Sequence, residues 1–315
     1  MNEKVKLFLE NLRNVHLFFG KGAIQTGERV AAKLAIKGMA FSVKEYEEAV
    51  KTIKTNTKWY QKIRMNQKLQ HLYYAQFAGQ LHKIEQALVY QKNIMIGGEE
   101  AYRAAMYIRE AGQISKMKDI YNILKKKPGM KWFPVSQALL AVLAGRPESA
   151  DELATAYEDY YNRLTDLNWY SGKQGKLAAL LLVLGTGTFE ASVWERVCIL
   201  SKIMEDEDRL ELDTYNVICL LALARVEAEA LPEIYAIHDI LDERSEDLPL
   251  GDDLLLIAAQ LYTSSEAYSD IPEMDASEVD FLDLAGSVID GAFDGSSGGG
   301  DGGSDGGGDG GGGGD

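Results

Sequence analysis

Lysine and arginine side chains alternate with aromatic rings near residue 60, a combination that can bind phosphate groups and stacked bases. The members of this first cluster are Lys58, Tyr60, Lys62, Arg64 and Lys68, with Trp59, Tyr73 and Tyr74 beside them. We predict an anionic partner here. The alternative interpretation is that the rings belong to the core, because they lie at helical spacing, and that the lysines form its solvated edge.

A second basic cluster lies in the same half of the chain, next to Trp132. Its members are Lys125, Lys126, Lys127 and Lys131. The half as a whole, residues 1–135, has a net charge of +13, whereas residues 136–315 have a net charge of −28. Such asymmetry attracts charged partners, or one half of the chain to the other.

Motifs of common catalytic sites are absent or incomplete. The stretch GKGAIQTGER (20–29) has glycines at phosphate-loop spacing, but Glu28 occupies the lysine position and would repel phosphate. The stretch GTGTF (185–189) lacks the last glycine of a dinucleotide fingerprint, and HExxH does not occur. We therefore predict that the protein has no cofactor, and we favour a binding function over a catalytic one.

Metal-binding patterns are equally weak. None of the four histidines, His16, His71, His82 and His238, has a second histidine or a carboxylate at ligand spacing. The acidic clusters at 205–208, 242–247 and 252–253 lack the glycine and closing glutamate of a calcium loop, which favours solvated loops. Cys198 and Cys219 lie in apolar helical patterns and are predicted to be buried thiols.

The predicted helices that carry these residues follow a pattern that repeats along the chain. A dense apolar helix pattern ends at a small residue, and a more polar amphipathic helix pattern follows. The small residues are Gly38, Gly79, Gly112, Gly145, Gly185 and Ala224. A two-helix unit of this kind cannot bury its own apolar surface, whereas stacked units build a continuous core. We predict an all-α fold of stacked helical hairpins, an α-solenoid, with a plain helical bundle as the alternative.

Two predicted helices from successive units illustrate the pattern. Ile114, Met117, Ile120, Tyr121 and Leu124 form one helix face. Ser149 and Glu152 have the spacing of a capping box at the start of a later helix. Glycine at each junction is expected to supply the positive φ that commonly ends a helix.

The layout resembles tetratricopeptide and HEAT-like helical repeats. The closest unit runs from Ala104 to Pro128, with Gly112 at the turn and Tyr121 in the second helix. It departs from the tetratricopeptide pattern at Met117, where that repeat prefers a small residue. The whole chain, with its length and its Gly/Asp-rich tail, also resembles an uncharacterised bacterial protein family, which implies no particular activity.

The sequence predicts three regions. Residues 1–270 form the helical repeat domain, and residues 271–294 an acidic amphipathic segment that caps the domain or docks on a partner or on the basic half. Residues 295–315, rich in glycine and aspartate, are expected to be disordered. The longest apolar run, residues 177–184, is far shorter than the roughly 20 residues of a membrane span. No signal peptide is recognisable, so we expect a cytoplasmic protein.

The leading functional hypothesis is a non-catalytic protein-interaction module that captures a peptide or helix in a groove lined by the first helices of successive units. The alternative is nucleic-acid binding through residues 1–135, with the acidic C-terminal part as an intramolecular competitor. An enzyme with an unfamiliar helical site is a third hypothesis, because helical folds can host chemistry without a linear motif.

Overall fold

The structure is a computed structural model that describes residues 3–20, 24–94, 97–127, 130, 135–167, 173–209, 214–245, 248, 250 and 254–264. The described residues form fifteen α-helices, one 3-10 turn and no strand. The all-α prediction is therefore confirmed for this part of the chain. The helices are α1 (Glu3–Phe19), α2 (Ile24–Ile36), α3 (Val43–Asn56), α4 (Lys62–Met65), α5 (Gln67–Phe77), α6 (Lys83–Gln91), α7 (Glu99–Ala105), α8 (Gly112–Leu124), α9 (Gln137–Ala144), α10 (Ala150–Asp166), α11 (Lys173–Thr186), α12 (Ala191–Asp206), α13 (Thr214–Leu223), α14 (Leu231–Arg244) and α15 (Leu254–Thr263).

Seven helices are buried on nearly every side, and we call them the inner helices. They are α2, α5, α7, α9, α11, α13 and α15. Leu177 to Leu184 in α11 are all at most 1% exposed, because a helix that is apolar all round must be covered all round. The inner helices together form one continuous core.

The outer helices, α1, α3, α6, α8, α10, α12 and α14, bury only one face each. In α8 the buried side chains include Ile114, Met117, Ile120 and Leu124, and Tyr121 of the predicted face is half-buried. The predicted capping box is present at α10, where Ser149 accepts from the backbone N–H of Glu152 and the Glu152 carboxylate accepts from that of Ser149. Each outer helix packs most closely on the inner helix that follows it in the chain. The sequence pattern instead pairs it with the inner helix that precedes it.

The inner helices lie side by side in chain order, from α2 through α5, α7, α9, α11 and α13 to α15. Neighbours run in the same direction: Asn66, which caps α5, donates to Glu99 in the first turn of α7. At the opposite end, Arg146 after α9 donates to the carbonyl of Gly185 near the end of α11. Helix α15 contacts α1 and α2, so the last described helix lies beside the first two. The predicted solenoid is therefore not confirmed.

The junction glycines do not share one role. Gly38 and Gly79 have φ of 69° and 78°, as predicted, because they end their helices in the left-handed region. Gly112, Gly145 and Gly185 do not have a positive φ, so the prediction is wrong at these three junctions. At Gly185 a Cβ would lie 2.2 Å from a side-chain carbon of Leu223, so close packing between α11 and α13 requires the glycine.

Several predictions fall on residues that the structure does not describe. They include the helix stop at 128–129, the basic residue Lys131, the acidic segment 271–294 and the tail 295–315. Among the described residues, every helix is too short or too polar to cross a lipid bilayer.

Candidate functional site

The first predicted cluster begins after helix α3 and is largely on the surface. Trp59 and Tyr60 are 76% and 58% exposed, and their ring centroids lie 5.9 Å apart in an edge-to-face arrangement. The Lys58 ammonium lies 5.9 Å from the centroid of the Tyr60 ring. Two large aromatic rings left in water beside a cation are typical of a binding surface.

The other members of this cluster divide between surface and core. Lys62 is exposed, Lys68 is half-buried, and the Arg64 guanidinium donates to the carbonyl oxygens of Lys54 and Thr57 at 2.8 Å each. Arg64 thus satisfies carbonyl groups at the end of α3 while its charge stays near the surface. Tyr73 and Tyr74 are fully buried, so for these two rings the core interpretation is correct.

The second predicted cluster is engaged mostly with its own chain. Lys125 lies 4.8 Å from the centroid of the Tyr121 ring, and Lys127 forms an ion pair of 2.8 Å with Glu158 of α10. Lys126 is exposed, and Lys131 lies outside the described residues. Helix α8, which precedes this cluster, packs on α9 and α10, whereas α3, before the first cluster, and α4, within it, pack on α5, α6 and α7. The structure therefore does not bring the two clusters together.

A groove along the outward side of α3 continues the first cluster, and the sequence interpretation missed it. We call it the α3 groove. Its lining consists of Tyr46, Glu47, Val50, Lys51, Lys54, Thr55 and Arg64. Three cations and one carboxylate surround an apolar floor, so the groove combines positive charge with apolar surface.

The floor exists because the apolar face of α3 is wider than the part that the core covers. Ala49 and Ile53 are fully buried against the core. Val43, Tyr46 and Val50 continue this face along its edge, where Val43 is 41% exposed and the other two are half-buried. The repeat of apolar residues at positions 43, 46 and 50 was visible in the sequence and could have revealed this exposed apolar edge.

The end of helix α1 extends the apolar surface towards the groove. Phe18 is 41% exposed and Leu17 is 81% exposed. The rings of Phe18 and Phe19 both contact Tyr46, at centroid distances of 5.4 and 5.1 Å. Burial raises the pKa of the Tyr46 hydroxyl to about 12, so at neutral pH this ring adds no negative charge to the groove.

The rim of the groove presents two lysines that pair with no described residue. Lys51 and Lys54 are exposed, and neither side chain forms an ion pair or hydrogen bond within the described ranges. The single carboxylate in the lining, Glu47, is exposed on the same helix. The surface is therefore electrostatically suited to an acidic ligand.

The structure also reveals a polar network between inner helices that no sequence motif predicted. Arg103 is 2% exposed, and its guanidinium lies 3.3 Å from Glu99 and 3.9 Å from Glu100. Glu100 in turn accepts from the hydroxyl of Ser136 and the backbone N–H of Gln137 at the start of α9. This network joins α7 to α9 and supports the scaffold rather than the surface.

The titratable residues singled out in the sequence are mostly structural. His71 is buried, and its ring stacks on Phe19 with centroids 3.5 Å apart. Burial lowers its pKa to about 4. Both cysteines are free thiols, and burial raises the pKa of each; Cys219 is buried as predicted, whereas Cys198 is only half-buried. No group of three His, Cys, Asp or Glu side chains with metal-site geometry occurs in the described part of the chain.

Comparison with protein families places the chain in one of them. Residues 22–282 match the family described as "Protein of unknown function (DUF4003)". The chain belongs to this family. The matched region extends from before α2 to beyond α15, so the family region includes the α3 groove. Its description assigns no activity, and function must be inferred from the site itself.

The other two comparisons found no relatives. No curated protein matches the chain. No solved structure matches it.

Proposed function

We propose that this protein is a non-catalytic interaction module that binds an acidic amphipathic peptide or helix in the α3 groove. The observation that supports this proposal most directly is the exposed apolar edge of α3, flanked by Lys51, Lys54 and Arg64. An amphipathic helix placed there would bury apolar side chains on Tyr46 and Val50 and direct carboxylates to the rim.

The proposed site differs from the groove expected from the sequence. The first helices of the repeating units are the inner helices, and their side chains are nearly all buried against one another. A peptide cannot reach them without opening the core. The outer surface of α3, with exposed Val43 and half-buried Tyr46 and Val50, is open to a partner without rearrangement.

We also propose that seven two-helix units, each an outer helix and the inner helix after it, form a closed double ring of tetratricopeptide-like hairpins. The contacts of α15 with α1 and α2 support closure of the series. Such a ring would hold α3 rigidly, which lowers the ordering cost of binding. We place the module in the cytoplasm, in keeping with two cysteines that are both free thiols.

The experiment uses a fluorescent synthetic peptide of about 15 residues, with leucine at helical spacing and glutamate elsewhere, and measures its binding to the full chain by anisotropy. Lys51→Glu combined with Lys54→Glu should weaken binding about tenfold or more, because two attractive charges become repulsive. The matched control is Lys118→Glu, an exposed lysine on outer helix α8. Equal binding by the double variant and the control would refute the proposed site.

A second candidate function is nucleic-acid binding, favoured by exposed Trp59 and Tyr60 beside Lys58. It predicts that a labelled single-stranded oligonucleotide binds the full chain and that Trp59→Ala with Tyr60→Ala weakens this binding about tenfold. Val50→Asp affects the groove floor and should weaken peptide binding far more than oligonucleotide binding. If the oligonucleotide does not bind even at about 0.05 M salt, this candidate is eliminated.

A further inference from the structure

We propose that the chain carries its own ligand for the α3 groove: residues 277–293, SEVDFLDLAGSVIDGAF, occupy it and block external partners. This inference rests on the proposed function, since it concerns the same groove. It adds regulation, because an external acidic peptide must displace the segment before it binds.

The chemistry of the segment complements the groove. Four apolar residues, Val279, Leu282, Ile289 and Phe293, share one face at helical spacing, and four carboxylates accompany them. After residue 264 the chain contains thirteen Asp and Glu residues and no Lys or Arg. The lining of the groove has three cations, one carboxylate and an apolar floor, so both the charge and the apolar stripe are matched.

The connection is long enough. The last described residue, Ser264, follows α15, and twelve residues separate it from Ser277. Helix α15 contacts α1, and Phe18 near the end of α1 contacts Tyr46 in the groove, so α1 connects the two places. Twelve extended residues span up to about 40 Å, whereas a helix of 17 residues such as α1 spans about 26 Å.

A competing basic surface lies between α1 and α14. Its lining includes Lys6, Arg13, Arg244 and the carboxylate of Glu10, with Leu9 and Leu248 as apolar members. Both α1 and α14 contact α15, so this surface is the nearer one, but its accessible lining is mainly polar, whereas that of the α3 groove is mainly apolar. We therefore assign the segment to the α3 groove and let the experiment distinguish the two surfaces.

The first test is zero-length carbodiimide cross-linking of the full chain, which joins a lysine amine to a carboxylate only when the two are in contact. Cross-links between Lys51 or Lys54 and a carboxylate of residues 278–290 are expected in the monomer fraction. A mixture of isotope-labelled and unlabelled chains separates links within one chain from links between copies. Links mapping to Lys6 instead, or links only between copies, would overturn the inference.

The matched variants act on the segment and leave the groove intact. Leu282→Ser with Ile289→Ser removes apolar contacts but retains every carboxylate, and it should reduce the cross-links severalfold. The control, Asp301→Asn with Asp305→Asn in the Gly/Asp-rich tail, should leave them unchanged. The synthetic acidic peptide should bind the Leu282→Ser/Ile289→Ser chain about tenfold more tightly than wild type, because an intramolecular competitor at high effective concentration has been weakened.

The outcomes separate this inference from the proposed function. Equal peptide binding by wild type and the Leu282→Ser/Ile289→Ser chain, without the expected cross-links, overturns autoinhibition and leaves the groove as a peptide site. Peptide binding by neither chain overturns both.

Discussion

The ring of Phe18 in helix α1 lies edge-on to the ring of Tyr46 in helix α3, with centroids 5.4 Å apart and an interplanar angle of 78°. Phe18 is 41% exposed and Tyr46 half-buried, so this contact lies at the boundary between core and surface. It connects the apolar end of α1 to the floor of the α3 groove. Edge-to-face pairs of this kind stabilise their contact by about 1 kcal/mol beyond burial, which fixes the shape of the floor.

The apolar floor is expected to contribute directly to peptide affinity. Val50→Asp places a carboxylate beside Glu47 and should weaken binding of an acidic amphipathic peptide about tenfold or more, measured by anisotropy. The fold should tolerate the change, since Val50 is only half-buried. Val89→Asp is the control, because Val89 is 55% exposed on outer helix α6. A similar loss of binding in both variants would show that the effect is not specific to the groove.

His71 is expected to make the fold sensitive to mild acid. Its pKa is lowered to about 4 in the folded chain, against about 6.5 unfolded, so the unfolded chain takes up the proton first as the pH falls. The neutral His71 ring therefore leaves the free energy of unfolding at its full value above about pH 6.5. As the pH falls towards 4 this free energy decreases, by about 2 kcal/mol at pH 5.

His71→Phe tests this expectation, because it retains the stack on Phe19 and removes the titrating group. The free energy of unfolding, from urea denaturation at pH 7.5 and pH 5, should fall less in the variant than in wild type by about 2 kcal/mol. An identical fall in both proteins would mean that protonation of His71 is not the cause.

Gly185 and Gly112 are predicted to respond oppositely to alanine, although both occupy junction positions in the sequence pattern. Gly185→Ala would bring a Cβ to 2.2 Å from the side chain of Leu223 and should lower the free energy of unfolding by about 1–3 kcal/mol. Gly112→Ala meets no atom closer than 3.8 Å and should be neutral or stabilising by up to about 1 kcal/mol. Chemical denaturation of the two variants measures the contrast, and equal effects would contradict it.

The buried Arg103 is expected to couple to Glu99 by more than a surface ion pair would. Arg103→Leu should destabilise the fold by about 2 kcal/mol or more, because it breaks a network that includes Glu99 and Glu100. A double-mutant cycle with Glu99→Gln isolates the pair, and we expect a coupling energy of at least about 1 kcal/mol. The Glu99 side chain is 29% exposed, so solvent screens the pair and limits its coupling energy. A coupling energy near zero would mean that Arg103 stabilises the fold through other contacts.

Local features were predictable from the sequence wherever a short-range rule decides them. The apolar run 177–184 was predicted to form a buried helix, because such a helix is apolar on every side, and it is buried in the structure. Ser149 and Glu152 form the expected capping box, since its hydrogen bonds span only three residues. Gly38 and Gly79 adopt positive φ for an equally local reason.

The tertiary structure alone decided which aromatic rings face water and how the helix series ends. Trp59 and Tyr73 occur at similar helical spacing, yet Trp59 is exposed and Tyr73 is buried, because burial depends on which neighbouring helix covers each position. The contact of α15 with α1 and α2 joins residues more than 200 positions apart, which no local periodicity encodes. The α3 groove arose in the same way: the apolar residues at positions 43, 46 and 50 of α3 are visible in the sequence, but only packing determined that none of the described helices covers them.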